Sequence, residues 1–110
     1  MKGEHLGEFE ELALLAVLAL EDGAYGVAVQ GLIERETARE VTLGSVYAAL
    51  ERLEGKGLLQ SRVGEATGER GGRRRRLFAA TPGGLAALAH TRRAREALRT
   101  AIPKALRSRI

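Results

Sequence analysis

The segment Glu69-Arg70-Gly71-Gly72-Arg73-Arg74-Arg75-Arg76 places five arginines and two glycines between the apolar runs Leu58-Leu59 and Leu77-Phe78. Arginine keeps its charge at any physiological pH and presents a planar fork of donors that fits phosphate. Glycine lets the backbone turn tightly and approach a surface closely. A basic, glycine-hinged loop between two apparent strands has the chemistry of a finger that touches a polyanion. The residues upstream decide which polyanion.

Catalytic chemistry has little to stand on. His5 and His90 lie 85 residues apart, with no cysteine anywhere in the chain and no paired acids beside either. A zinc site needs several ligands at characteristic spacings, and none is present. Ser45, Ser61 and Ser108 lack the context of a nucleophile elbow. Arg73 to Arg76 is not followed by the Lys-Ser/Thr pair of a phosphate-binding loop. The expectation is a binding protein that needs neither catalytic residues, nor a metal, nor a cofactor.

The elements that would position the arginines follow from periodicity. Glu8 to Leu20 reads as a first helix, apolar nearly all round, which implies burial on most sides. Gly23 is expected to cap it in the left-handed conformation. A second helix spans Tyr25 to Thr37, with Val27, Ala28, Leu32 and Ile33 as its inner stripe. A third runs from Leu43 to Lys56, with Thr42 as N-cap and Gly57 as stop. Its apolar residues Leu43, Val46, Leu50 and Leu53 share one arc. The opposite face carries Gly44, Ala48 and Arg52, flanked by Ser45, Ala49 and Lys56. Small residues there let a helix backbone settle deep against a grooved partner. Leu58 to Val63 and Arg75 to Ala80 read as a hairpin around the loop Gly64 to Arg74, a length usually kept for function. Thr81-Pro82 starts a last helix towards Ile102, ended by Pro103.

Charge is as uneven as the pattern. Residues 1–55 carry 4 basic and 11 acidic side chains, whereas residues 56–110 carry 14 basic and 3 acidic. One part of the surface attracts anions and another does not. The longest apolar run, Leu12 to Leu20, is too short to span a bilayer, and the N-terminus lacks the layout of a signal peptide. A soluble cytoplasmic protein is expected.

Three helices, a basic hairpin and a final helix form the layout of a winged helix-turn-helix, a mainly α (α+β) fold. The third helix would enter the major groove of duplex DNA. The wing would bring arginine to phosphates and the minor groove. On this reading Thr42, Gly44, Ser45, Ala48 and Arg52 form the groove-facing set, with Arg52 the candidate for a bidentate contact to guanine. Arg70, Arg73, Arg74 and Arg75 form the wing set. Strand alternation sends Arg75 and Arg76 to opposite faces. Residues 1–81 would be the DNA-binding domain and residues 82–110 the dimerisation helix and tail. Leu12, Leu15, Leu85, Leu88, Leu98 and Ile102 exceed what one small core can bury, so a homodimer is expected.

Four blocks carry a family resemblance. They are Leu6-Gly7-Glu8-Phe9-Glu10, Asp22-Gly23-Ala24-Tyr25-Gly26, the run from Leu43 to Leu58, and the Gly-Gly-Arg wing with Leu77-Phe78 and Thr81-Pro82-Gly83-Gly84. Over roughly residues 6–90 the chain resembles the PadR-family transcriptional regulators. The resemblance implies a homodimeric repressor on a palindromic operator, with the last helix packed on the partner's first. It also implies a DNA-backbone role for Tyr47, where the residues alone equally allow a tyrosine at the edge of the core. Ala48 stands where the family often has proline. The single short C-terminal helix resembles that of the family's small members. The sequence names no small-molecule effector. A last helix without aromatic residues, Pro82 to Ile102, argues against a pocket that stacks planar drugs. Two other classes remain: an RNA-binding module, disfavoured by scarce aromatics, and a winged helix that binds an acidic protein.

Overall fold

The computed structural model describes residues 5–66 and 74–110, so Arg70, Arg73 and the loop glycines Gly68, Gly71 and Gly72 lie outside the described residues. Helices α1 (Glu8–Leu20), α2 (Gly26–Thr37) and α3 (Leu43–Gly55) come first. Strands β1 (Leu59–Ala66) and β2 (Arg74–Ala80) follow, then α4 (Pro82–Ala101) and α5 (Lys104–Arg107). This is the winged helix-turn-helix architecture that the periodicity implies.

Each boundary has a local cause. Thr42 caps α3 by accepting from the Ser45 amide at 3.0 Å. Gly57, at φ 78°, ends α3. The amides of Gly57 and Leu58 bond back to the Glu54 and Leu53 carbonyls, which closes the helix in the manner only a left-handed residue permits. Thr81 caps α4 by accepting from Gly84 N at 3.1 Å, and donates to the Gly57 carbonyl at 2.7 Å. The end of α3 and the start of α4 are thus tied together. The turn between α2 and α3 is pinned by Gln30, which donates to the Val41 carbonyl, and by Glu34, which accepts from the Val41 amide.

The core lies where the three helices meet the hairpin. Leu14, Val17, Val29, Val46, Leu50, Leu53 and Leu59 are fully enclosed, with Phe78 closing the wing side. The amide of Phe78 also bonds to the Ala24 carbonyl at 2.9 Å, so β2 is held by the α1–α2 connection as well as by β1.

Several boundaries and faces differ from expectation. Gly23 is not the left-handed cap. A single 3-10 turn, Glu21–Gly23, follows α1, and the positive φ falls on Glu21. The inner stripe of α2 is Gly26, Val29 and Ile33, while Val27 is exposed. Ala49 is fully buried beside Val46 and Leu53, one step inward of the flank assigned to it. The strands reach further into the hairpin than the apolar runs suggested. Val63 pairs with Arg76 and Ala66 with Arg74, so two residues of β1 oppose Arg75 in a bulge. Bulges sharpen twist and redirect side chains, and Gly64 within a strand was their signal.

The last helix leaves the body. Only Gly84 and Ala87 of α4 are buried, and from Arg92 to Ala101 every residue is exposed. Pro103 follows its end, and α5 turns back so that Arg107 donates to the Thr100 and Ile102 carbonyls. No helix among the described residues is long and apolar enough to cross a membrane.

A Cβ at Gly84 would lie 2.2 Å from the Leu58 carbonyl oxygen, a backbone atom that cannot swing aside. Gly84→Ala should therefore lower stability by about 1–3 kcal/mol, the usual range for overpacking. At exposed Gly83 the nearest atom would be 3.4 Å away. Gly83→Ala should be neutral, or stabilise slightly through helix propensity. Paired urea melts check both.

Candidate nucleic-acid interface

The outward pole of α3 is formed by Gly44, Ala48, Glu51 and Gly55, with Ser45 and Arg52 on one shoulder; all six are exposed. Nothing lies within 4 Å of a Cβ built on Gly44. Thr42 and Ser45 stand at the helix start. The Ser45 hydroxyl donates to the Thr42 carbonyl at 2.8 Å and keeps its lone pairs for an outside donor. The result is a smooth ridge, shallow at its N-terminal end.

Tyr47 lies on the other shoulder, half-buried. Its ring tip covers Gly26, where an added Cβ would come within 2.3 Å of Cζ. A side chain at position 26 would therefore displace the Tyr47 ring tip from α2. Tyr25, one residue earlier, carries the Arg75 guanidinium 4.2 Å above its ring. Arg74 and Arg75 are both exposed on β2. Thus Tyr25, Tyr47 and Arg75 gather where α2 begins.

Both shoulders of α3 end in charge clusters. On one side Glu10, 5% exposed, accepts from Arg52 Nε at 3.1 Å, from Lys56 Nζ at 2.8 Å and from the Gly7 amide at 2.8 Å. Burial pushes the Glu10 carboxyl up. Hydrogen bonds from Lys56, the Gly7 amide and Arg52 more than offset this, so its pKa lies below the ordinary value. On the other side Arg76 points from β2 to α3, meeting Glu54 at 2.5 Å and Glu51 at 3.2 Å. Its Nε donates to Ser61 Oγ at 3.1 Å, and Ser61 in turn donates to Glu54 at 2.8 Å. Hydrogen bonds from Ser61 and Arg76 hold the Glu54 carboxyl below its ordinary range.

Arg52 is therefore partly committed. Its Nε is bound by Glu10 while the side chain stays 54% exposed. The anchor leaves the terminal fork for an outside acceptor and fixes the direction in which it points. Lys56 serves α1 rather than the outer face. Glu10, Glu51, Glu54, Arg76 and Tyr25 were missed by sequence reasoning. The signals were present as Arg52/Lys56 at i, i+4 and Glu51/Glu54 at i, i+3, spacings that align side chains on one face. Of the expected dimer residues, Leu15, Leu85 and Leu98 are exposed, while Leu12 and Leu88 are partly covered by their own core and Ile102 is partly covered at the end of α4. Among the described residues no group of three or more His, Asp or Glu could hold a metal ion.

Residues 14–90 match the model of the transcriptional regulator PadR-like family. Comparison with curated proteins gives no match. Among solved structures, a PadR family regulator from Eggerthella lenta is 26% identical over 86% of this chain and 80% of its own, with TM-score 0.65. The complex structure of hsRosR-SG is 25% identical over 99% of this chain and 88% of that one, with TM-score 0.64. A PadR family transcription regulator from Clostridium difficile shares the fold at TM-score 0.67 and 23% identity, over 89% of this chain and 98% of its own.

Because the folded Glu10 carboxyl titrates below its ordinary value, its stabilising effect is present above that value. It is lost as pH falls through the folded pKa. Glu10→Gln should lower stability at pH 7 and flatten the decline between roughly pH 5 and pH 3. Denaturant melts of both proteins across that window test this, and parallel curves would contradict it.

Proposed function

The chain belongs to the PadR-like family of transcriptional regulators, and on that premise we propose that it is a homodimeric repressor reading a palindromic operator in duplex DNA. The observation that carries this reading is the exposed ridge of α3, small at Gly44, Ser45 and Ala48 and set beside the arginines of β2. A ridge without bulk lets the backbone enter the major groove, where base edges specify sequence. Thr42 and Ser45 at the helix start, and Tyr47 on the opposite shoulder, are assigned to phosphate or base edges. The free fork of Arg52 is assigned to guanine. Arg74 and Arg75, together with Arg70 and Arg73, are assigned to phosphates and the adjacent minor groove.

The dimer is assigned to α1 and α4. Leu15 and Leu18 of α1 and Leu85 and Leu88 of α4 line one open groove, and Leu98 stands exposed beyond it. A second copy covering these residues brings residues 82–110 into use as the dimerisation segment, leaving residues 1–81 to read DNA. Two-fold symmetry then requires half-sites about one helical turn (~10 bp) or a multiple apart.

Ala48→Glu should abolish binding to the duplex immediately upstream of the protein's own gene, the upstream duplex, while leaving the thermal melt nearly unchanged, because Ala48 is exposed. A variant that unfolds, or that still binds, contradicts the assignment of this face. Arg74→Ala should weaken specific and random duplexes by similar factors and flatten the log affinity–log salt plot by about one unit. Sedimentation at micromolar concentration should give twice the 11.8 kDa chain mass. A clean monomer would reject the dimer.

A further inference from the structure

Arg76 stands apart from the other wing arginines. Arg74 and Arg75 are exposed on β2, whereas all three guanidinium nitrogens of Arg76 are engaged inside the protein: Nε with Ser61 on β1, Nη1 with Glu51 and Nη2 with Glu54 on α3. Its guanidinium also lies 4.9 Å from the Phe78 ring centre. One side chain thereby joins both strands of the wing to the ridge-bearing helix. Ser61 closes the cluster by donating to the second oxygen of Glu54. A fork with fixed donor geometry holds two carboxylates in a way a lysine cannot.

Glu51 gives this arrangement its functional consequence. It lies on the outward pole of α3, with its side chain 64% exposed. A lone carboxylate there would be repelled by phosphate, and contact with Arg76 compensates its charge. We propose that Arg76 is a positioning residue that sets the wing against α3, so that ridge and wing meet one duplex in a single register. The proposal rests on the DNA-reading function proposed above. It assigns Arg76 no contact with DNA. The wing touches phosphate through its other arginines, and Arg76 decides where those arginines stand.

Three substitutions separate positioning from direct contact. Arg76→Gln removes a positive charge, Glu54→Gln removes a negative one, and Ser61→Ala changes neither. Charge alone predicts opposite effects of the first two on every duplex. Positioning predicts that both lower the ratio of operator affinity to random-duplex affinity, by about tenfold, the scale of one lost base contact. Ser61→Ala should lower the ratio by a smaller factor in the same direction. The salt slope of Arg76→Gln should match wild type. A slope lower by about one unit would make Arg76 a phosphate contact and overturn the proposal. Binding is measured well below each variant's melting temperature. Should Arg76→Gln fail to fold, Glu54→Gln and Ser61→Ala decide alone. A wild-type ratio well above one with unchanged ratios in the variants overturns the positioning role only. A wild-type ratio of one overturns the DNA-reading function and this inference with it.

Discussion

The orientation of α3 is the constraint on which the rest of the molecule depends, and it is held by opposite charges on the helix's two shoulders. Arg52 and Lys56 converge on Glu10 of α1, while Glu51 and Glu54 converge on Arg76 of β2. Between these anchors Val46, Ala49, Leu50 and Leu53 fix depth by burial. Depth alone leaves a helix free to roll by part of a turn. Two charge clusters of opposite sign, each satisfied from a different neighbouring element, oppose that roll from both sides. The small residues Gly44 and Ala48 are then the ones that face outward.

The two anchors differ energetically. Glu10 is buried and gathers three donors, Arg52, Lys56 and the Gly7 amide, so removing it breaks three charge-assisted contacts at once, which costs more than a single surface pair is worth. Arg76 and Glu54 remain partly in solvent, with side chains 38% and 32% exposed. Such pairs contribute little to global stability, but geometry is a separate matter. A forked contact across two elements selects one arrangement among several of similar energy. Stability therefore lies mainly with the apolar core and the Glu10 side, and alignment of the wing with the Arg76 side.

The fold was legible because its signals were local. Thr42 and Thr81 before helical runs, Gly57 after one, and the arc of Val46, Leu50 and Leu53 marked two of the four long helices, α3 and α4, at their ends or faces. Family resemblance through the run Leu43 to Leu58 agreed with the match over residues 14–90. What stayed hidden depended on partners distant in the chain. Glu10 meets Lys56 across 46 residues, and Arg76 meets Glu51 across 25. A sequence shows Glu51/Glu54 and Arg52/Lys56 as spaced pairs but not which neighbour answers them. Arg52 accordingly looked like a free reader of guanine, and Arg76 like one more arginine of a basic run. Ala49 was misplaced for a simpler reason: alanine fits either side of an amphipathic boundary, and the close approach of the helices settled it inward.

On the proposed function, the α3 ridge and the wing form one unit that engages major and minor grooves together. Dimethyl sulfate interference on the upstream duplex reads both at once, because the reagent marks guanine N7 in the major groove and adenine N3 in the minor groove. Two blocks of guanine interference are expected about one helical turn or a multiple apart, each accompanied by adjacent adenine interference. Uniform binding insensitive to either modification, or adenine interference without any guanine block, would contradict it.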